Sequence, residues 1–194
     1  MSLIARIHSQ LQESASTTLQ AADAIAPVIT TAADAITQCL LNGKKVMTCG
    51  NGPSAANAQH FASTLLTQLE MERPSLPAIC LTSDSATVTA IAKYYDYQDI
   101  FAKQVRALGK DGDLLVILST AGRLPNILNA IAAAHERNMI VVALTGRDSG
   151  DVASRLAERD VEIHIDSDSI ARILELHLLV LHCLCDLVDM QLFG

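Results

Sequence analysis

The chain reads as an α/β protein, with helices on both faces of a parallel sheet and a helical extension ahead of it. Three observations predict this. From residue 45 onward, short apolar runs and amphipathic stretches follow one another in repeated β-α-β order. The apolar runs, such as Leu114-Leu115-Val116-Ile117-Leu118, do not alternate with polar residues, so both faces of each strand are covered, as in parallel sheets. Residues 1–42 carry no strand pattern at all.

The elements follow in order. Leu3, Ile4, Ile7 and Leu11 recur at helical spacing, and a second helix is expected from about Pro27 to Leu41, since proline suits a first helical position. Asn42-Gly43 ends it. Strands are predicted at Lys45–Cys49, Ala78–Thr82, Leu114–Ser119, Ile140–Thr145 and Val161–Ile165. Helices are predicted at Ser54–Glu70, Ser85–Ala92, Ile100–Leu108, Pro125–Arg137, Val152–Ala157 and Ser169–Leu192. Asp166-Ser167-Asp168-Ser169 reads as capping the last of these helices rather than as a metal cluster.

Composition narrows the function. The 194 residues suffice for one well-buried core, half are apolar, tryptophan is absent, and Leu, Ile, Val and Ala supply most of the interior. A net charge of −7 and a pI near 5.2 argue against direct binding to nucleic acid or to an anionic membrane. The apolar run Leu176 to Leu184 holds two histidines and is too short for a bilayer span. The first residues lack the charged start and apolar segment of a signal peptide, so a cytoplasmic location is expected. Cys39, Cys49, Cys80, Cys183 and Cys185 are odd in number and form no metal-binding or redox spacing, which predicts free thiols.

Two loops stand out. Cys49-Gly50-Asn51-Gly52-Pro53-Ser54 joins a strand to a helix, and glycine permits turns and close approaches that a side chain blocks. Free amides at the following helix start would favour an anion such as phosphate. The loop is neither a dinucleotide fingerprint nor a P-loop, so a small phosphorylated ligand is the better expectation. Ser119-Thr120-Ala121-Gly122-Arg123 follows another buried strand and offers hydroxyls, amides and a cation. In open α/β sheets, ligands bind at the carboxyl ends of strands where strand order reverses, and both loops lie at such ends.

Taken jointly, Cys49-Gly50-Asn51-Gly52-x-Ser54, His60-Phe61-Ala62, Glu72-Arg73-Pro74-x-x-Pro77-Ala78-Ile79, Ser119-Thr120-x-Gly122 and the Arg172–His182 helix resemble the sugar isomerase (SIS) family. The resemblance is to the branch that holds phosphoheptose isomerases and DnaA initiator-associating (DiaA) proteins, and it covers nearly the whole chain. It implies a three-layer αβα sandwich with a five-stranded parallel sheet, in a homotetramer. Residues 1–42 would then be helices for subunit packing and residues 43–194 the SIS domain.

The resemblance also implies site residues. Asn51, Gly52, Ser54, Ser119 and Thr120 match substrate-binding positions, and Arg123 and Lys93 are further cations for a phosphate. The isomerases carry a His and a Glu one turn apart on the helix after the first loop, and a Gln and a His on the last helix. His60 and His182 match the histidines, whereas Thr64 and Leu174 stand at the other two positions. Lys93-Tyr94, Ala121, Leu124 and Pro53 also depart from the pattern. Glu175 is a candidate partner for His182, and His177 is expected to point elsewhere.

The expectation drawn from these departures is a catalytically silent, DiaA-like tetramer that binds the replication initiator DnaA, with Leu192 and Phe193 as partner-binding residues. No catalytic residue, metal or cofactor is then expected, and no contact with DNA itself. The alternatives are a sedoheptulose 7-phosphate isomerase, with zinc and with His60 and His182 as site remnants, and a non-catalytic sugar-phosphate sensor.

Overall fold

The computed structural model describes residues 1–194. A long helix α1 (Leu3–Leu41) precedes β1 (Val46–Gly50), α2 (Pro53–Leu66), β2 (Ala78–Cys80), α3 (Ser85–Tyr94), α4 (Ala102–Leu108) and β3 (Leu114–Leu118). Then come α5 (Pro125–Glu136), β4 (Ile140–Gly146), α6 (Gly150–Arg155), β5 (Val161–Ile165) and α7 (Ile170–Phe193), with a short 3-10 turn at Tyr97–Asp99 between α3 and α4. All five strands are parallel, in the order β2-β1-β3-β4-β5. The expected sandwich is thereby observed.

The unbroken apolar strands have the predicted cause. Val46, Leu114, Val116, Leu118, Val142 and Leu144 bury against α1, α2 and α7. The intervening Met47, Cys49, Leu115, Ile117, Val141 and Ala143 bury on the opposite face, against α4 and α5. A strand covered on both sides admits a polar residue only where it is hydrogen-bonded, as Thr48 is to Ala58 O at 2.9 Å.

The N-terminal region differs from expectation. It is one helix of 39 residues with Pro27 inside it, not two. Pro27 is exposed and so is Asp23, whose carbonyl loses its bond to the missing N–H, so water can replace that bond. Packing on both sides holds the helix through the proline. Ala21 and Ile25 lie against Ile165, Ile173 and Leu176, and Ile29, Ala32, Ala33 and Ile36 enter the core. By length and composition α1 could cross a membrane, but its second half is committed to this core. Leu3, Ile4, Ile7, Leu11 and Leu19 on its first half are exposed.

Helix α2 stops at Leu66, short of the predicted Glu70. The Arg73 guanidinium folds back over its end and donates to the carbonyls of Thr64, Leu65 and Thr67, which the helix itself leaves unpaired. Its Nε donates to Asp189 of α7 at 2.6 Å, in a pair almost fully buried. All five cysteines are free, as predicted.

Candidate functional site: a crevice at the strand switch point

Strand β1 continues through α2 to β2 on one side of itself, while β3 pairs along its other side and continues through α5. The sheet order therefore reverses between β1 and β3, and in open α/β sheets the ligand crevice lies beyond such a point, here beyond Gly50 and Leu118. Both predicted loops border it.

The first loop turns at Gly52, whose φ of +54° favours glycine, and Pro53 starts α2. The amides expected to be free are partly spent. Pro53 has none, Ser54 N–H donates to Asn51 O at 3.1 Å, and Ala55 N–H donates to Gly52 O at 2.9 Å. Ser54 itself is buried. In the second loop Ser119 is also buried, and its hydroxyl donates to Ala121 O within the loop. Thr120 is half-buried beside it. Gly122 permits this loop to lie against the β4–α6 turn, since a Cβ there would meet Ser149 O at 1.8 Å. Arg123 is drawn toward that turn, where it meets Asp148 at 3.3 Å in an exposed pair. Lys93 is exposed, with its ammonium 5.1 Å from the centre of the Tyr94 ring.

Asn51 joins the two sides. Its Nδ2 donates to Asn126 Oδ1 at 2.9 Å, Asn126 Nδ2 donates back to Asn51 Oδ1 at 2.8 Å, and Tyr97 Oη donates to the same Oδ1 at 3.3 Å. Asn126 and Tyr97 were not recognised from sequence. They lie 75 and 46 positions from Asn51, and neither belongs to a recognisable spacing.

The two histidines do come together. His60 on α2 and His182 on α7 face each other with Nε2 atoms 2.9 Å apart and rings nearly perpendicular. Partial burial, and then the neighbouring His182, lower the pKa of His60 below the usual imidazole value. Glu175 does not hold His182. It takes Arg172 at 2.8 Å and Ser14 at 2.8 Å, tying α7 to α1. His177 is buried and donates from Nε2 to Thr145 O at 3.0 Å, away from the site as predicted.

A zinc ion held as in a catalytic site needs three protein ligands or more. Thr64 is buried, and its hydroxyl donates to His60 O at 2.9 Å. Leu174 has no side-chain donor atom, and its carbonyl accepts from Asn57 Nδ2 at 3.2 Å. No cluster of three His, Cys, Asp or Glu side chains assembles anywhere in the chain. The donor set is two imidazoles, which does not fit such a centre.

The predicted partner tail divides. Leu192 is half-buried against the main core, whereas Phe193 is 42% exposed. A cleft of about 790 Å³ lies elsewhere, along the outer edge of β2, lined by Gln59, Ser63, Ile79, Lys103 and Gln104 among others.

Comparison with known proteins bears on these assignments. Residues 10–146 match the SIS domain. A phosphoheptose isomerase of Alkalilimnicola ehrlichii is 54% identical over 97% of this chain and 96% of its own length. One from Chromohalobacter salexigens is 50% identical over 100% and 98%. The structure of a phosphoheptose isomerase from Francisella tularensis superimposes with a TM-score of 0.94, at 46% identity, covering 98% of this chain and all of that one. The expectation of a catalytically silent DnaA regulator is corrected by these likenesses. Whole-length identity of half or more joins the chain to proteins named as enzymes, and nothing in these likenesses points to replication initiation.

Proposed function

The chain belongs to the SIS domain family, and from that premise we propose that it binds a phosphorylated sugar of the heptose 7-phosphate class and interconverts its ketose and aldose forms. The observation that carries this is the His60–His182 pair, with its Nε2 atoms 2.9 Å apart. The names of the relatives support the reaction class, and the Asn51 side-chain amide beside the switch point supports a phosphate contact there.

Such an isomerisation moves a proton between adjacent carbons. One neutral imidazole removes the proton from the carbon next to the carbonyl, and that electron pair forms the enediol double bond. The second imidazole enters as imidazolium, gives its extra proton to the carbonyl oxygen and is left neutral. Return of a proton to the former carbonyl carbon, with loss of one from the neighbouring hydroxyl, completes the exchange with no net gain or loss. Two imidazoles around one shared proton suit both roles near neutral pH. No step is routed through a metal, because the donor set does not fit one. Copies of the chain would assemble through the exposed apolar positions of α1, making a tetramer by sedimentation.

A second reading, binding without turnover, draws support from Thr64 and Leu174, which bring no carboxylate or amide to the pair. Incubation with sedoheptulose 7-phosphate, with and without a chelator, separates the two. Turnover on the order of 1 s⁻¹ or faster, insensitive to chelator and lost in His60→Gln, supports the isomerase. Calorimetric binding with no product supports the second reading, and absence of both overturns the proposal.

A further inference from the structure

We infer that Tyr97 and Asn126 are positioning residues that hold the Asn51 side-chain amide with its N–H, not its oxygen, toward a ligand oxyanion in the switch-point crevice. The inference rests on the sugar-phosphate reading above and adds to it the group that orients the phosphate contact.

The argument is a count of hydrogen-bonding capacity. A primary amide offers two N–H donors and an oxygen with two lone pairs. Asn51 Oδ1 accepts from Asn126 Nδ2 at 2.8 Å and from Tyr97 Oη at 3.3 Å, so both lone pairs are used. Asn51 Nδ2 spends one hydrogen on Asn126 Oδ1 at 2.9 Å. One N–H remains, and amide planarity directs it away from Asn126. Asn126 is 4% exposed at the start of α5 and Asn51 is half-buried, so the pair ties the first loop to α5 through a largely buried contact.

The amide pair alone does not choose this orientation. Turning both amides over preserves the two reciprocal bonds and presents the Asn51 oxygen instead. Tyr97 decides between them, because a phenol donates a hydrogen bond far more readily than it accepts one. With Tyr97 in place, the oxygen is drawn to the hydroxyl and the N–H is left for the ligand. An N–H is attracted to a phosphate oxygen, whereas a carbonyl oxygen would repel it.

Tyr97 is exposed, so Tyr97→Phe keeps the ring and is expected to fold normally. The test is calorimetry with sedoheptulose 7-phosphate, and with inorganic phosphate alone, on the unmodified chain, Tyr97→Phe and Asn126→Ala. Affinity for both probes should fall about three- to tenfold in Tyr97→Phe, the size of one hydrogen bond. It should fall at least as far in Asn126→Ala. NMR of the Asn51 side-chain amide in the free protein should show one fixed orientation that Tyr97→Phe releases, a change that a purely structural role would not produce. Equal affinity for both probes in all three proteins, or an Asn51 amide unchanged by Tyr97→Phe, overturns the inference and leaves the sugar-phosphate reading standing. Absence of binding to the unmodified chain overturns both.

Discussion

His60 and His182 meet Nε2 to Nε2 at 2.9 Å, so the pair accommodates one proton between the rings and resists a second. His60 is held below the usual imidazole value, first by partial burial and then by His182. Replacing His182 with Gln removes only the second cause. The His60 titration followed by NMR should therefore move upward in His182→Gln yet stay below that of a free imidazole. A His60 titration that does not move would show that the two rings do not interact in solution.

His177 links acid to stability. It is fully buried, and burial pushes its pKa down to about 4 from the ordinary imidazole value of 6.5. The unfolded chain thus binds a proton that the folded chain refuses, and stability falls as pH drops from about 6.5 toward 4. At about 1.4 kcal/mol per unit, this amounts to about 2 kcal/mol between pH 7 and pH 5. Urea unfolding at both values should show that loss in the unmodified chain and a clearly smaller one in His177→Gln.

Arg73 and Asp189 form the most buried ion pair, with side chains 1% and 6% exposed. Arg73→Leu strands the Asp189 carboxylate and frees the carbonyls at the end of α2. Removing one partner of such a pair costs about 3–5 kcal/mol. Asp189→Asn keeps an acceptor for Arg73 and should cost less. Denaturant midpoints of the two variants check the order.

These features differ in how far sequence reveals them. Each strand was legible to within about two residues, because a run such as Leu114–Leu118 is short for a helix, contains β-branched residues and is bounded by turn signals. Pro27 misled, because a proline marks a helix start by local rules while α1 is held through it by Ile25 on one side and Ile29 on the other. His60 and His182 were legible as a pair through resemblance alone. Their separation of 122 positions is closed only by packing of α2 on α7. Glu175 was misassigned because an ionic side chain takes the nearest opposite charge, here Arg172 three residues earlier on the same helix, a spacing that was legible in the sequence. Arg123 meets Asp148 25 positions away, a pairing that local sequence does not reveal.

Leu192 and Phe193 should separate under substitution. Leu192 packs on the core, so Leu192→Ala should cost about 1–2 kcal/mol, below the range for a fully buried leucine. Phe193 is 42% exposed, and Phe193→Ala should cost less than about 1 kcal/mol. Chemical denaturation of the single variants decides this, and equal costs would mean that Phe193 is buried in solution.

The misfit for zinc is testable by supplying what is absent. Thr64 lies one helical turn after His60 on α2, its hydroxyl bonded to His60 O, and Leu174 lies two turns before His182 on α7. A carboxylate at the first position and an amide at the second would bring the donor set to four. Dialysis against zinc should leave the unmodified chain with little bound metal, because two imidazoles hold it weakly. The Thr64→Glu/Leu174→Gln variant should retain about one zinc per chain. Binding should weaken below about pH 6, where protons compete for the imidazoles. Turnover need not rise with it, since Lys93, Tyr94, Ala121 and Leu124 still depart from the isomerase pattern. Stoichiometric zinc in the unmodified chain would mean that a ligand outside these two helices, or from another copy, completes the site.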